Sequence, residues 1–598
     1  MAIQSNFPNL KPTLLLDFAN TETLDPRVTF TRGTPATYYD GKTTVMAEQN
    51  TVLYSQDFSN AYWTKSAVNV SSGITAPDGT STANTLTETT ANNNHAMWTV
   101  SGPIVTTTNI SSTFSIYAKA GTCSTFAIQI YRSGASFFID FDLSTVASSV
   151  RGGNGTSSIT AVGNGWYRCT ATSSALGSNT WQFEAYMTSS YIGATSYVGT
   201  SRTLSLWGAQ AETRSAATAY TPTTTQPITN YIPVLLSAGG NQARFDHNPT
   251  TGESLGLLVE EQRTNLASYS ADLGNTSAWP PAGITTISNA SIAPDGTLSA
   301  MRMVAATSSG DHDLYRYFNL SNSSYTLSIY AKYSGAHLAL SAGISNPWAG
   351  CIFDLQNGVA KTPQGTGMTC TASIQSVGNG WYRCSITYTG TSSYGTYVII
   401  SSTNNVNATM GPYGFIAYPG DGWSGVQLWG CQLEAGAFPT SYIPTLASTV
   451  TRSPDNANIT GANFTSWFQP QQGSLYIESS YPKSGTRSPF QIGSSISNRY
   501  GFYTPDQALN YYDGSVPFTT SFSSTSSKIA CSLVNYDIAV SFNNSTASAI
   551  PSGRSLLNAD KLTIGSADYG GEYICGTIRK IAYYPARLSN TQLQALTT

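Results

Sequence analysis

The octapeptide VGNGWYRC occurs at Val162–Cys169 and again, letter for letter, at Val377–Cys384, about 215 positions later. A string holding Trp, Tyr, Arg and Cys does not recur by chance, so either a module is duplicated or one chemical site is present twice. The flanks decide for a module. NTVLYSQDFSNAYW (Asn50–Trp63) parallels TNLASYSADLGNTSAW (Thr264–Trp279), APDGTSTA (Ala76–Ala83) parallels APDGTLSA (Ala293–Ala300), and FSIYAKAG (Phe114–Gly121) parallels LSIYAKYSG (Leu327–Gly335). Downstream, LSLWGAQAE (Leu204–Glu212) parallels VQLWGCQLE (Val426–Glu434), and TAYTPT (Thr218–Thr223) parallels TSYIPT (Thr440–Thr445). The offset drifts from about 215 to about 222, as loop insertions would make it.

The repeated phrases read as strands. Phe114, Ile116 and Ala118 alternate with Ser115, Tyr117 and Lys119, the period of a half-buried strand. Asp78-Gly79, Asp295-Gly296, Asn164-Gly165 and Asn379-Gly380 are turn dipeptides that accept positive φ. Short strands with frequent turn signals over some 170 residues fit a β-sandwich of jelly-roll type. The octapeptide is then a turn followed by a strand whose Trp and Cys need not share a face. From about Ser448 a third unit begins. Leu562 and Ile564 alternate in a strand there, GTIRKIAYYP gives another, and the Ser589-x-x-Gln592 capping box predicts a closing helix.

At 598 residues the chain holds several domains, since one core rarely grows past about 250–300 residues. Only 10% of residues are charged, but 12% are aromatic, which favours packed cores over disorder. The formal net charge is −3 and no Lys/Arg run occurs, which argues against a nucleic-acid partner. No stretch approaches the ~18 apolar residues that would span a bilayer, and no membrane insertion is expected. The opening MAIQSNFPNLKPTLLLDF has no basic region followed by a long apolar core, so no export by its own signal is expected. The eight cysteines form no CxxC pair and read as small buried hydrophobes.

LLLDFANTETLDPRVTFTR, LYSQDFSNAYW, the two APDGT phrases and RFDHNP…LGLLVEEQRTNL resemble modular bacteriophage virion proteins: tail fibres, spikes and head fibres carrying carbohydrate-binding-module-like jelly rolls. LTIG…GTIRKIAYYPARLS…QL resembles a laminin-G or concanavalin-A-like sandwich. The resemblance implies an all-β chain of tandem jelly-roll sandwiches followed by a laminin-G-like sandwich. The expected division is an N-terminal attachment segment (1–49), jelly-roll repeat 1 (50–223), a connecting hairpin segment (224–263), jelly-roll repeat 2 (264–447) and a laminin-G-like domain (448–598). It implies a structural protein displayed on the virion after assembly in the bacterial cytoplasm, touching other virion proteins through its N-terminal segment and binding host-surface polysaccharide. A homo-oligomer is expected, a trimer if the particle element is a fibre or spike. A purely structural decoration protein and a polysaccharide-degrading spike are the alternatives.

No catalytic residues are expected. A glycan-cleaving site needs two suitably spaced carboxylates, yet of the close pairs Asp140/Asp142 and Asp311/Asp313 only Asp142 has a counterpart in the repeated frame, at Asp354. The four histidines, His95, His247, His312 and His337, suggest no duplicated Cys–His site. Aromatics matched between copies (Trp63/Trp279, Trp98/Tyr315, Trp166/Trp381, Trp181/Tyr397, Trp207/Trp429) are expected in packing roles. Trp348 in SNPWAG and Trp423 in GDGWSG have no Trp counterpart in repeat 1 and sit in Gly/Pro-rich loops, which makes them the carbohydrate-binding candidates. Some jelly-roll modules hold a structural Ca²⁺ near strand ends. Asp78, Glu212, Asp295 and Glu434 are the candidate ligands, and no other cofactor is expected.

Overall fold

The same strand order is built twice. In repeat 1 one sheet runs, neighbour by neighbour, through Gly155–Ala161, Trp166–Leu176, Ile110–Ala120, Thr203–Glu212, Ala83–Glu88 and Val68–Ile74. Repeat 2 answers with Cys370–Gly378, Trp381–Thr389, Ser324–Ser334, Gly425–Ala435, Ala300–Ala305 and Ile284–Ser291. The facing sheets correspond too: Ala147–Gly152, Ala135–Asp142, Thr125–Arg132, Asn179–Met187, Ala96–Thr99 and Trp63–Ser66 match Val359–Ala360, Trp348–Asp354, His337–Gly343, Thr396–Thr403, Asp313–Phe318 and Pro281–Ala282. This computed structural model describes residues 10–106, 110–176, 179–390, 395–482, 487–495, 498–503, 508–512, 518–521, 526–534, 538–546, 548–550, 559–567 and 571–598.

Alternation places each core. Phe114, Ile116 and Ala118 are fully buried against Phe126, Ile128 and Phe141 of the facing sheet, and Leu327, Ile329 and Ala331 pack in the same way on Leu338, Leu340 and Cys351. In both copies the octapeptide strand pairs in one register: Trp166 lies opposite Lys119 and Cys169 opposite Ile116, as Trp381 lies opposite Lys332 and Cys384 opposite Ile329. The Asn-Gly turn before it takes positive φ at both residues, 52° and 77° in one copy and 49° and 74° in the other. The Cys then enters the core, whereas the Trp faces outward into a second apolar cluster.

That outer cluster is itself repeated, but its cover is not. Trp381, Trp429, Tyr330 and Tyr442 of repeat 2 lie under Tyr39, Ile232 and Leu235 from a long ribbon formed by Ala36–Asn50 and Ile228–Ala238. Trp166, Trp207, Tyr117 and Tyr220 of repeat 1 are covered instead by Trp423 of repeat 2.

The third sandwich collects distant parts of the chain. Its first sheet joins Leu14–Leu16, Arg244–His247 and Ser254–Val259 to Gln472–Ser480, Ser526–Val534 and Gly576–Tyr584. Its second joins Thr29–Thr31 to Asn456–Thr460 and Lys561–Ile564. Leu14, Leu16, Phe18, Phe30, Leu257 and Val259 share one core with Phe464, Ile477 and Ile581. Residues 10–31 and 244–259 are therefore part of the terminal sandwich, which corrects the expected separate attachment and connecting segments. Their apolar side chains are too few to bury one another and find cover only on that sheet pair. Residues 1–9, also assigned to attachment, lie outside the described residues. The closing helix Asn590–Leu596 carries the expected capping box, with Ser589 Oγ accepting from the Gln592 backbone N–H and the Gln592 side chain accepting from the Ser589 N–H.

A buried ion cluster fastens these crossings. Asp455 accepts from Arg32 (2.9 Å) and Arg244 (2.6 Å), all three side chains having no exposed surface, and Glu260 meets Arg244 and Arg452 at 2.9 Å each. Burial alone would raise the Glu260 carboxyl, but the two guanidiniums outweigh it and hold it at about 2.

Candidate functional site

The clearest difference between the repeats lies on the outer face of the sheet that carries Thr125–Arg132. Strand register sets Phe138 opposite Gln129, Gln129 opposite Glu184, and Glu184 opposite Trp98, one row across four neighbouring strands. Three strand spacings make the row about 14 Å long. Trp98, Gln129 and Phe138 are half-buried, and Glu184 forms the floor between them. Tyr186 stands beside the row, its hydroxyl donating to Glu184 at 2.7 Å and its ring 5.8 Å from Phe138. Burial raises the Glu184 carboxyl above its ordinary value against the opposing bond from Tyr186. At the far end Arg151 pairs with Asp140 and lies 4.6 Å over the Phe138 ring. Rings flanking an amide and a carboxyl can stack on the apolar faces of sugars and bond their hydroxyls.

In repeat 2 the same row reads Gly350, Ser341, Ile399 and Tyr315. The amide, the carboxyl and one ring are gone, and the face is covered. Met410 and Ile416 pack on Trp348, Ala339 and Ile352, and Ser341 Oγ donates to the Tyr413 carbonyl at 2.8 Å. Gly350 has no room for a side chain, since a Cβ there would meet the Leu340 carbonyl oxygen at 2.6 Å. The cover is an insertion: residues 404–416 join two strands that residues 188–195 join in repeat 1, 13 residues against eight.

The residues expected to bind carbohydrate lie elsewhere. Trp348 opens a strand, is 4% exposed and is enclosed by the covering segment. Trp423 packs on Tyr117 (5.6 Å) and Trp207 (5.9 Å) of repeat 1 with Arg302 over its ring at 4.8 Å. Trp348 offers no free stacking face, which corrects the expectation for it: it is a packing ring where repeat 2 closes a surface, whereas Trp423 is half-buried and bridges the two repeats. The row that replaces them was visible as a divergence inside matched strands, where FAIQIY and WQFEAYM set Gln129 and Glu184 between apolar neighbours. Its match to Tyr315 places Trp98 among the packing rings on sequence alone.

The calcium candidates are engaged otherwise. Asp78 Oδ1 accepts from the Thr80 N–H and hydroxyl, and Asp295 Oδ1 does the same with Thr297, each closing a turn. Glu212 accepts from the Gln210 amide and from the Thr218 N–H and hydroxyl, and Glu434 repeats this with Gln432 and Thr440, both carboxylates being fully buried. Oxygens filled in this way do not fit a cation that needs six to eight of them. Among the described residues no group of three or more His, Cys, Asp or Glu could hold a metal ion. The Ca²⁺ expectation therefore has no support.

The carboxylate pairs also part company. Asp142 caps a turn through Ser144 and Thr145, whereas Asp313 is buried with no hydrogen-bond partner for either oxygen among the described residues. His95 and His312 prove to be a repeated pair: each ring nitrogen bonds a backbone oxygen, of Ala67 and Tyr197 in one copy and of Gly283 and Tyr418 in the other. Each ring also packs 4.5 Å from that Tyr, so the duplication is structural. Burial pushes the thiols of Cys169 and Cys384 well above the ordinary value, leaving no thiolate at the octapeptide.

No family model matches the chain, and no curated protein matches it. Among solved structures it is similar to the CBM40 of the Ruminococcus gnavus IT-sialidase (16% identity, 22% of this chain and 84% of that one, TM-score 0.19). It is similar also to the CBM22-1-CBM22-2 tandem of Paenibacillus barcinonensis Xyn10C (11% identity, 66% and 99%, TM-score 0.19) and to the LG1-3 region of the laminin alpha2 chain (9% identity, 81% and 95%, TM-score 0.18). At such scores these likenesses say nothing of ligand or activity. The strand order carries the class by itself: all-β, two jelly-roll sandwiches and a terminal laminin-G-like sandwich.

Proposed function

We propose that this chain is a non-catalytic structural protein of a bacteriophage particle, and that the Trp98–Phe138 face of repeat 1 holds host-surface polysaccharide while repeat 2 and the terminal sandwich act as scaffold. One observation carries the glycan-binding part of the reading: the polar-aromatic row exists in the repeat whose face is open, and in the other it is erased and roofed over. Such a shallow face binds weakly by itself, and a homo-oligomer, a trimer in a fibre or spike, would multiply it, avidity exceeding single-site affinity by ~10²–10⁴. Residues 14–16 and 29–31 are strands of the terminal sandwich rather than a separate attachment arm, so any contact made there uses its outer face, where Leu15 is exposed.

An array of bacterial surface polysaccharides probed with the full chain and with Gln129→Ala tests the reading. Retention by the parent and loss by the variant is the expected outcome. No retained glycan would leave the decoration role, release of reducing ends would move the protein to the degrading class, and immunogold labelling of particles without signal would remove the virion assignment.

A further inference from the structure

Between the two repeats lies a second concavity, a cleft of about 970 Å³ separate from the Trp98 face. One wall is the outer face of repeat 1, where register sets Thr156 opposite Thr172, Ser158 opposite Thr170 and Thr160 opposite Arg168. The other wall belongs to repeat 2, with Arg302, Lys332 and Gln427. Trp423 reaches across to Tyr117 with ring centres 5.6 Å apart. Arg168 lies over Tyr117 at 5.5 Å and Arg302 over Trp423 at 4.8 Å, so two guanidiniums bracket an aromatic pair on the cleft wall.

Neither cation is directly ion-paired, although Asp421 acts on Arg302 and Glu212 on Arg168 through space. Among the described residues neither Arg168 nor Arg302 has a carboxylate at ion-pair distance, while the neighbouring Lys332 is paired with Glu48. Among the described residues Arg302 donates to the carbonyls of Ser334 and Trp423 and Arg168 to the Ser115 hydroxyl, and the Nε of each is buried without a partner there. Burial lowers the Arg302 pKa; Tyr117 and the Asp421 carboxylate oppose this, and the neighbouring charge of Arg168 adds a smaller lowering. Two like charges sharing a partly desolvated wall favour a bound anion. Repeat 2 supplies a control. Arg383 lies over Tyr330 at 5.5 Å and donates to Ser328, reproducing Arg168 and its partners, but its aromatic cluster is roofed by the ribbon and does not line the cleft.

The geometry points to the inter-repeat cleft as a second binding site, for a saccharide that carries an anionic group. The anion sits at Arg168 and Arg302, and the sugar hydroxyls meet the Ser/Thr rows. Because the cleft and the Trp98 face share no residue, the two proposals fail separately.

Titration calorimetry on the full chain at low ionic strength tests it with tetragalacturonate, neutral maltotetraose and inorganic phosphate. One tetragalacturonate per chain is expected, weakened about tenfold or more by Arg302→Gln and by Arg168→Gln and unchanged by Arg383→Gln and Trp98→Ala. Maltotetraose and phosphate are expected to bind at least about tenfold more weakly. Ser158→Tyr, at an exposed position on the wall, blocks the cleft without touching either guanidinium and decides the matter if an arginine variant melts early. Equal binding of maltotetraose, an equal effect of phosphate alone, a matching loss in Arg383→Gln or Trp98→Ala, or no tetragalacturonate binding by the folded parent would overturn the proposal.

Discussion

Asp313→Asn should stabilise the protein at alkaline pH and do little in acid. The Asp313 carboxyl is 1% exposed, neither oxygen has a partner among the described residues, and burial together with the Asp311 charge raises its pKa from 3.8 to about 7. Between those values the folded chain holds the proton and the unfolded chain does not. The group's contribution to stability is thus complete below about pH 4 and is lost as pH rises through about 7. About three pH units at 1.36 kcal/mol each amount to about 4 kcal/mol above pH 7. Asparagine matches the protonated acid in shape and cannot ionise. Urea unfolding of both proteins, followed by tryptophan fluorescence, should find them within about 1 kcal/mol at pH 4.5 and the variant ahead by up to about 4 kcal/mol at pH 8. A gap that is the same at both pH values, or a parent more stable than the variant at pH 8, would refute the reasoning.

Asp455→Ala leaves Arg32 and Arg244 buried without their carboxylate and should cost about 3–5 kcal/mol, seen as a lower denaturation midpoint; an unchanged midpoint would show that the ion cluster does not fasten the sandwich. Trp348→Ala should lower the melting temperature, at a cost of about 3–5 kcal/mol, and leave glycan retention intact, because the ring fills a buried cluster; loss of binding at unchanged melting temperature would return Trp348 to the binding surface. Ca²⁺ added after chelation should produce neither heat in calorimetry nor a melting shift, since the carboxylates that could take it are already bonded.

The duplication was legible because its strands repeat phrase by phrase, and the two octapeptide strands do share one register. What the sequence hides is where separate phrases meet. Nothing local in LLLDF or RVTFTR says that Leu14 and Phe30 will pair with strands more than 400 residues away, because alternation fixes which side chains are buried but not against what. The candidate site failed for a related reason. Trp348 and Trp423 stood out as unmatched rings in Gly/Pro-rich loops, yet an unmatched ring serves equally to close a surface, as Trp348 does, or to bridge two repeats, as Trp423 does. Trp98 is masked in the sequence by its match to Tyr315, because the distinction lies in its cross-strand neighbours, Glu184 in one copy and Ile399 in the other.

The central claim, that repeat 1 binds glycan through a row that repeat 2 has lost, is tested most directly by measuring adsorption of Trp98→Ala and Tyr315→Ala side by side to the polysaccharide the parent protein retains. The two residues occupy the same place in the two repeats, so each variant controls for the other's effect on folding. Trp98→Ala should weaken adsorption about 10- to 100-fold and Tyr315→Ala should leave it unchanged. Equal affinity in both variants, or a loss in Tyr315→Ala as large as in Trp98→Ala, would contradict the claim.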